Sequence, residues 1–169
     1  AIGEFREFLT FYPTHAKADY AQYKLGLAHF RQMRAPQRDQ TETREAIKEF
    51  ETFIERYPGS PLINQGRDQL RQAKDRLSEA DYEVGYFYYK NRWYPGAVDR
   101  FRTLLKDDPG FTGRDAIYFY MGEALIKVKR PAEALPYYEK LVEEFAMSEY
   151  LVDAKKRITE LKTSTPPAS

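Results

Sequence analysis

The chain has 169 residues, enough for one sizeable core or for an extended stack of small units. Its 27 Lys and Arg nearly match its 26 Asp and Glu, so the net charge of +1 gives no global reason to expect a polyanion, and nucleic acid is set aside as a partner. Cysteine is absent, which excludes disulfides, thiol chemistry and thiolate metal sites, and no apolar run approaches the roughly 20 residues that span a bilayer.

Helix formers (Ala, Glu, Lys, Arg, Leu, Gln) dominate while Val and Ile are scarce, and 14 Tyr help raise the aromatic share to 15%, so the expected class is all-α. The first helical pattern, 1–11, is already under way at residue 1, with Ile2, Phe5, Phe8, Leu9 and Tyr12 at helical spacing before Pro13. A signal peptide's charged and apolar regions do not occur at this start, so the sequence is expected to belong to a longer protein whose targeting segment lies upstream. Further helices are predicted near 16–33, 41–56, 61–90, 94–107, 113–129, 132–145 and 148–162. Ser60 followed by Pro61 reads as an N-cap with Pro at the first helical position. Pro136 lies about a turn inside its pattern and removes an intrahelical hydrogen bond, which predicts a helix that starts late or bends. Residues 163–169, polar and Pro-rich, read as a disordered tail.

Two phrases alternate along these helices. The first is "EFREFLTFYP" (4–13), "EFETFIERYP" (49–58), "RFRTLLKDDP" (100–109) and, weakened, "YYEKLVEEFA" (137–146). The second is "YKLGLAHF" (23–30), "YEVGYFYY" (82–89) and "FYMGEALI" (119–126). A Gly inside a helix is unfavourable by about 1 kcal/mol against Ala unless a neighbour must come close. The spacing of Gly85, Tyr88, Ala97, Phe101, Leu104 and Pro109 is that of a tetratricopeptide hairpin, and Gly122, Leu125, Ala134, Tyr138 and Leu141 repeat it, with Ala146 where Pro belongs. The small residues Gly26, Gly85, Gly122, Ala46, Ala97 and Ala134 let paired helices approach, and Phe50, Tyr88, Phe101 and Tyr138 fill the groove between them. The expected architecture is a single tetratricopeptide-repeat superhelix over 1–162: a half repeat at 1–13, hairpins at about 16–58, 61–109 and 113–146, and a terminal helix at 148–162.

The long pattern over 61–90 has one apolar seam, Leu70, Ala73, Leu77, Ala80 and Val84, and a basic stripe of Arg67, Arg71 and Lys74 on its other side. The stripe is either a solvated face paired with acids such as Asp68 and Asp75 or a docking surface for an acidic protein. Chemistry at bonds finds little support. His29 falls at a groove-filling position, where packing with one satisfied nitrogen is expected over metal binding, and His15 falls in an interhelical turn suited to a loop hydrogen bond. Glu143 with Glu144 and Asp107 with Asp108 lack a nucleophile, and no phosphate loop, nucleophile elbow or metal-ligand spacing occurs, so neither catalytic residues nor a cofactor or metal is expected. In "YEVGYFYYKNRWY", Tyr82, Tyr88 and Tyr89 are expected to pack between repeats, leaving Trp93 beside the turn as a candidate interface anchor.

A repeat hairpin sets its Gly and second-helix Ala 12 residues apart, as Gly85 and Ala97 are, but Gly26 and Ala46 are separated by 20. The insertion ends in Arg38, Asp39, Gln40 and Thr41; Asp39 or Thr41 is suited to cap the next helix, and Asp39 with Glu42 has capping-box spacing. With "FYPTHAKADYAQYKLGLA" before it and "RLSEADYEVGYFYYKNRWYPGAV" after it, this sequence resembles the BamD family of outer-membrane assembly lipoproteins from residue 1 to about 160. The resemblance implies a non-catalytic periplasmic scaffold that binds the POTRA domains of BamA and other assembly-machinery subunits and receives unfolded outer-membrane proteins. It implies a place on the periplasmic face of the outer membrane, held by an N-terminal lipid upstream of residue 1, and a start within the second of five repeats. In the family a basic residue in the second helix of the fourth repeat contacts BamA; Arg100 occupies the matching position here, and Tyr94 matches a family aromatic. Another periplasmic repeat adaptor, of the Tol-Pal type, or a repeat domain of a larger cell-wall enzyme are the alternatives.

Overall fold

The computed structural model describes residues 1–164, in which eight helices occur and no strand. They are α1 (Ile2–Phe11), α2 (Ala18–Arg31), α3 (Thr41–Arg56), α4 (Ile63–Lys90), α5 (Tyr94–Asp107), α6 (Arg114–Lys127), α7 (Pro131–Glu144) and α8 (Leu151–Ser164). The predicted tail at 165–169 lies outside the described residues, whereas Thr163 and Ser164 prolong α8 and so correct its expected end. Two compact units form, Ala1–Ala80 and the residues from Asp81 onward, with the boundary inside α4.

In the first unit α1 packs on α2 and α2 on α3, around Tyr23, Leu27, Ala46, Phe50, Phe53 and Ala73. A methyl group added at Gly26 would stand 2.8 Å from the ring of Phe50, which is 0% exposed, so α2 and α3 meet at a distance only glycine permits. Gly66 on α4 receives Phe53 in the same way, at 2.6 Å. Of the expected α4 seam, Ala73 is fully buried and Leu70 and Leu77 are half-buried. Beneath α1, Glu49 is buried yet satisfied: Arg6 approaches its carboxylate at 3.1 Å and Gln22 donates to it at 2.8 Å.

The second unit repeats the device. Gly85 lies against Phe101 and Gly122 against Tyr138, with hypothetical methyl contacts of 2.6 and 2.4 Å. Both pairs are 16 residues apart and Gly26–Phe50 is 24, so the extra 8 of the insertion are looped out and leave the contact intact. The core joins Ala97, Phe101, Ile117, Met121, Leu125, Ala134, Tyr138, Leu141 and Ala154 from α5 to α8. Two hairpin turns close through a left-handed residue, Arg92 (φ 63°) and Lys129 (φ 64°). In each, the next N–H reaches back five residues, Trp93 to the Tyr88 carbonyl and Arg130 to the Leu125 carbonyl, both at 2.9 Å.

Three local expectations are corrected. Ser60 does not open α4: its Oγ donates to Asp19 at 2.6 Å and accepts the Leu62 N–H at 3.2 Å, so Pro61 sits in a turn and the helix begins at Ile63. Ser148 makes the same pair of bonds, to Asp115 and from the Tyr150 N–H, and delays α8 to Leu151. In both, a serine after a second helix ties that turn to the first turn of the preceding first helix. Pro136 does not delay α7, which begins at Pro131 and carries Pro136 inside.

Candidate functional site

The insertion is a built loop. Gln40, 6% exposed, donates through Nε2 to the carbonyls of Ala35 (2.8 Å) and Arg38 (2.9 Å) while its Oε1 accepts from Thr43 Oγ1 at 2.8 Å. From α4, Arg76 donates to the Arg34 carbonyl at 2.6 Å. The predicted capping box is not made. Gln40 holds the N-cap position without a side-chain cap bond, Asp39 accepts the Thr41 N–H and hydroxyl, and Glu42 turns away to His29 at 2.6 Å. Those hydroxyl and amide bonds hold the Asp39 carboxyl below its ordinary range. The same contact satisfies His29 Nδ1 in a buried position, with Nε2 unpartnered, in keeping with a packing role.

At the α4–α5 turn, Trp93 is 57% exposed and Phe87 58%, and they flank Tyr88, whose ring lies 4.7 Å from Trp93 and 6.2 Å from Phe87. Arg100 is exposed on α5 with its guanidinium 5.9 Å from the centroid of the Tyr88 ring. Tyr94 is half-buried against Tyr89 at 5.6 Å. Trp93, Tyr88 and Arg100 thus share one surface, and Phe87, which periodicity did not single out, completes it. Gly96 lets the Trp93 ring lie flat on the first turn of α5, since an added methyl would meet it at 3.0 Å. The basic stripe is partly neutralised: Arg71 pairs with Asp75 at 2.9 Å and Lys74 with Glu51 at 3.4 Å, while Arg67 is exposed.

Tyr82 and Tyr86 of α4, Tyr120 of α6 and Tyr150 pack as a ring cluster, with centroids 5.9 Å apart for Tyr82 and Tyr86, 4.8 Å for Tyr86 and Tyr120, and 5.7 Å for Tyr120 and Tyr150. Burial pushes the phenols of Tyr82 and Tyr120 well above the ordinary tyrosine value, and those of Tyr89, Tyr138 and Tyr150 upward as well. An unfolded chain releases these protons near pH 10, which the folded unit resists, so this stability is fully present below pH 10 and is lost as pH rises beyond it. Tyrosinate absorbance at 295 nm is therefore expected to rise in step with loss of helical dichroism. Tyr82→Phe should move that joint midpoint to higher pH; a large tyrosinate signal with the helix of that unit intact is the contrary result.

A notch lined by His15, Asp19, Arg56 and Ser60 contains the residue types of a hydrolytic triad. Their bonds do not fit one: the Ser60 hydroxyl donates to Asp19 instead of to a histidine, and His15 Nδ1 accepts the Lys17 N–H at 3.0 Å. Among the described residues no cluster of three or more His, Asp or Glu is arranged to hold a metal ion, and no helix is long and apolar enough to cross a membrane.

Comparison with known proteins bears on what these surfaces serve. The outer membrane lipoprotein family matches residues 1–128, and a tetratricopeptide repeat matches residues 116–146. Outer membrane protein assembly factor BamD of Caulobacter vibrioides is 25% identical over 160 residues, covering 95% of this chain and 52% of its own length. The BamD proteins of Vibrio cholerae (28% over 118 residues; 64% of this chain, 49% of the relative) and Neisseria gonorrhoeae (24% over 115 residues; 62% and 43%) are also similar. The chain spans about half the length of the curated relatives it matches. Since the family match runs from the half repeat through the insertion to the end of α6, the chain belongs to the outer membrane lipoprotein family of BamD type.

Proposed function

We propose that this chain is a non-catalytic scaffold of the outer-membrane β-barrel assembly machinery, which binds the POTRA domains of BamA and assists the folding and insertion of barrel proteins. Its work is positioning: helical hairpins locked by glycine–aromatic contacts hold a surface in fixed shape. The full protein would be held at the periplasmic face of the outer membrane by an N-terminal lipid, with other machinery subunits and unfolded outer-membrane proteins as further partners. Family membership supports the setting, and the observation that carries the contact is Arg100 placed beside Tyr88 and the half-exposed Trp93. Tryptophan, tyrosine and arginine are the residue types that dominate binding energy at protein interfaces. The Arg100 fork would take a carboxylate of the POTRA surface through two hydrogen bonds, with Trp93 and Tyr94 supplying apolar contact beside it.

The test is calorimetric titration with the purified POTRA region of the same organism. Arg100→Glu should weaken binding by about 30-fold or more, as expected where one partner of a desolvated charge pair is lost at about 2 kcal/mol or above. Helical dichroism should be unchanged, because the side chain is exposed. Equal affinity in the variant would remove Arg100 from the interface.

A further inference from the structure

The insertion between α2 and α3 has no role in the repeat register, yet the structure invests several bonds in holding it. Gln40 is buried beneath it on three hydrogen bonds, Arg38 N–H closes a turn on the Ala35 carbonyl at 2.9 Å, and Arg76 grips the Arg34 carbonyl from α4. A loop that merely joined two helices would need none of these, because solvent satisfies exposed backbone groups. Apart from the Thr43 hydroxyl bond, these contacts go to main-chain carbonyls and leave the arginine side chains of the loop exposed. Arg34, Arg38 and Arg44 are all exposed, and among the described residues none lies within ion-pair distance of a carboxylate. Three acids share the stretch: Asp39, felt electrostatically by Arg34 and Arg44, has its oxygens taken up by Thr41, Glu42 is bonded to His29, and Glu45 pairs with Arg6 at 3.7 Å. Formal charge over residues 34–45 balances, three Arg against three acids, but the acids are engaged within the unit and the three arginines are not, so the free charge on this fixed frame is positive.

We infer that the loop of residues 34–41 is a second docking site, one that takes an acidic protein segment by pairing carboxylates with Arg34 and Arg38, with Arg44 at its rim. It does not rest on the POTRA contact. A protein segment is favoured over an anionic lipid surface by the rigidity of the frame. Attraction to a charged membrane needs only charge near the surface, whereas two-pronged carboxylate pairing needs planar forks at set positions. Apolar groups for insertion into lipid are also scarce here, the loop offering only Ala35 and Pro36.

The experiment measures fluorescence anisotropy of a short labelled peptide rich in Glu and Asp, and co-sedimentation with vesicles of phosphatidylglycerol and phosphatidylcholine, using the whole chain at moderate salt. The parent is expected to bind the peptide, and Arg34→Gln with Arg38→Gln to lower affinity about tenfold or more. Arg38→Lys, which keeps the charge and loses the fork, should lose about threefold, and Gln40→Ala, which keeps every arginine and loosens the frame, should also weaken binding. Lys24→Gln should leave it unchanged. The inference is overturned if the double variant binds the peptide within about twofold of the parent. It is overturned equally if Arg38→Lys and Gln40→Ala behave as the parent while the double variant loses its vesicle binding, which would assign the site to lipid.

Discussion

Replacing Gly122 by Val is expected to lower the melting temperature of the unit that begins at Asp81 by roughly 12–24 °C, from about 3 kcal/mol of overpacking at 4–8 °C per kcal/mol. Even the first added carbon would stand 2.4 Å from the Tyr138 ring, well inside contact distance. The ring has nowhere to go: Tyr138 is 0% exposed, and its hydroxyl donates to Glu123 at 2.6 Å. Gly122→Ala should fall between the two, since its gain of about 1 kcal/mol in helix propensity offsets part of the clash. A double-mutant cycle identifies the cause. In a Tyr138→Leu background the same glycine substitutions should lose much of their effect, because the groove then has room. Unchanged melting of Gly122→Val would mean that α6 and α7 can part without loss, contrary to the packing described.

Arg157→Ala is the second large effect, at about 2–3 kcal/mol. Glu123, with a side chain only 11% exposed, accepts from Arg157 Nε at 2.7 Å and Nη2 at 3.0 Å as well as from Tyr138. Removing one partner of a buried pair costs about 3–5 kcal/mol, and the lower figure applies here because Arg157 is 38% exposed and shares Nη1 with Glu160. The loss should be local first. Amide exchange in α8 should speed up well before that in α6, since Ala154 is the one fully buried residue α8 contributes to the core. Arg157→Lys should recover part of the stability, as a point charge without the two-pronged geometry; full recovery would show that charge alone suffices.

The glycine–aromatic register was legible because it is periodic, and so were the exact bounds of α3 and α5, which run between clear apolar stripes and a terminal Pro-type residue. What escaped depends on partners distant in sequence. Arg157 meets Glu123 across 34 residues and Ser60 meets Asp19 across 41, and neither residue looks special in its own segment. The serines did leave a signal, each standing two residues after the Pro or Ala that closes a repeat, at 58 and 146. The insertion itself was visible as a break in register, but its keystone was misassigned. Asp39 and Thr41 have the better capping chemistry, yet Gln40 alone is long enough to reach two carbonyls of the loop behind it. In the same way Trp93 stood out at the turn, while its companion Phe87 was hidden inside an aromatic run that packs mostly inward.

The near-identical closure of the hairpins bears on how fast they assemble. The glycine–aromatic locks within hairpins join residues 16 apart, or 24 where the insertion intervenes, and Gly66 meets Phe53 across 13, so the structure is built from short chain closures of the kind that favour rapid folding. Closure entropy grows only with the logarithm of loop length, and going from 16 to 24 residues adds about 0.4 kcal/mol, a slowing of roughly twofold. A loop of this size can therefore be added to, altered in or lost from the first hairpin with little effect on whether α2 and α3 find each other. Its arginines are free to change with whatever they meet, while the glycine and phenylalanine beneath them are not.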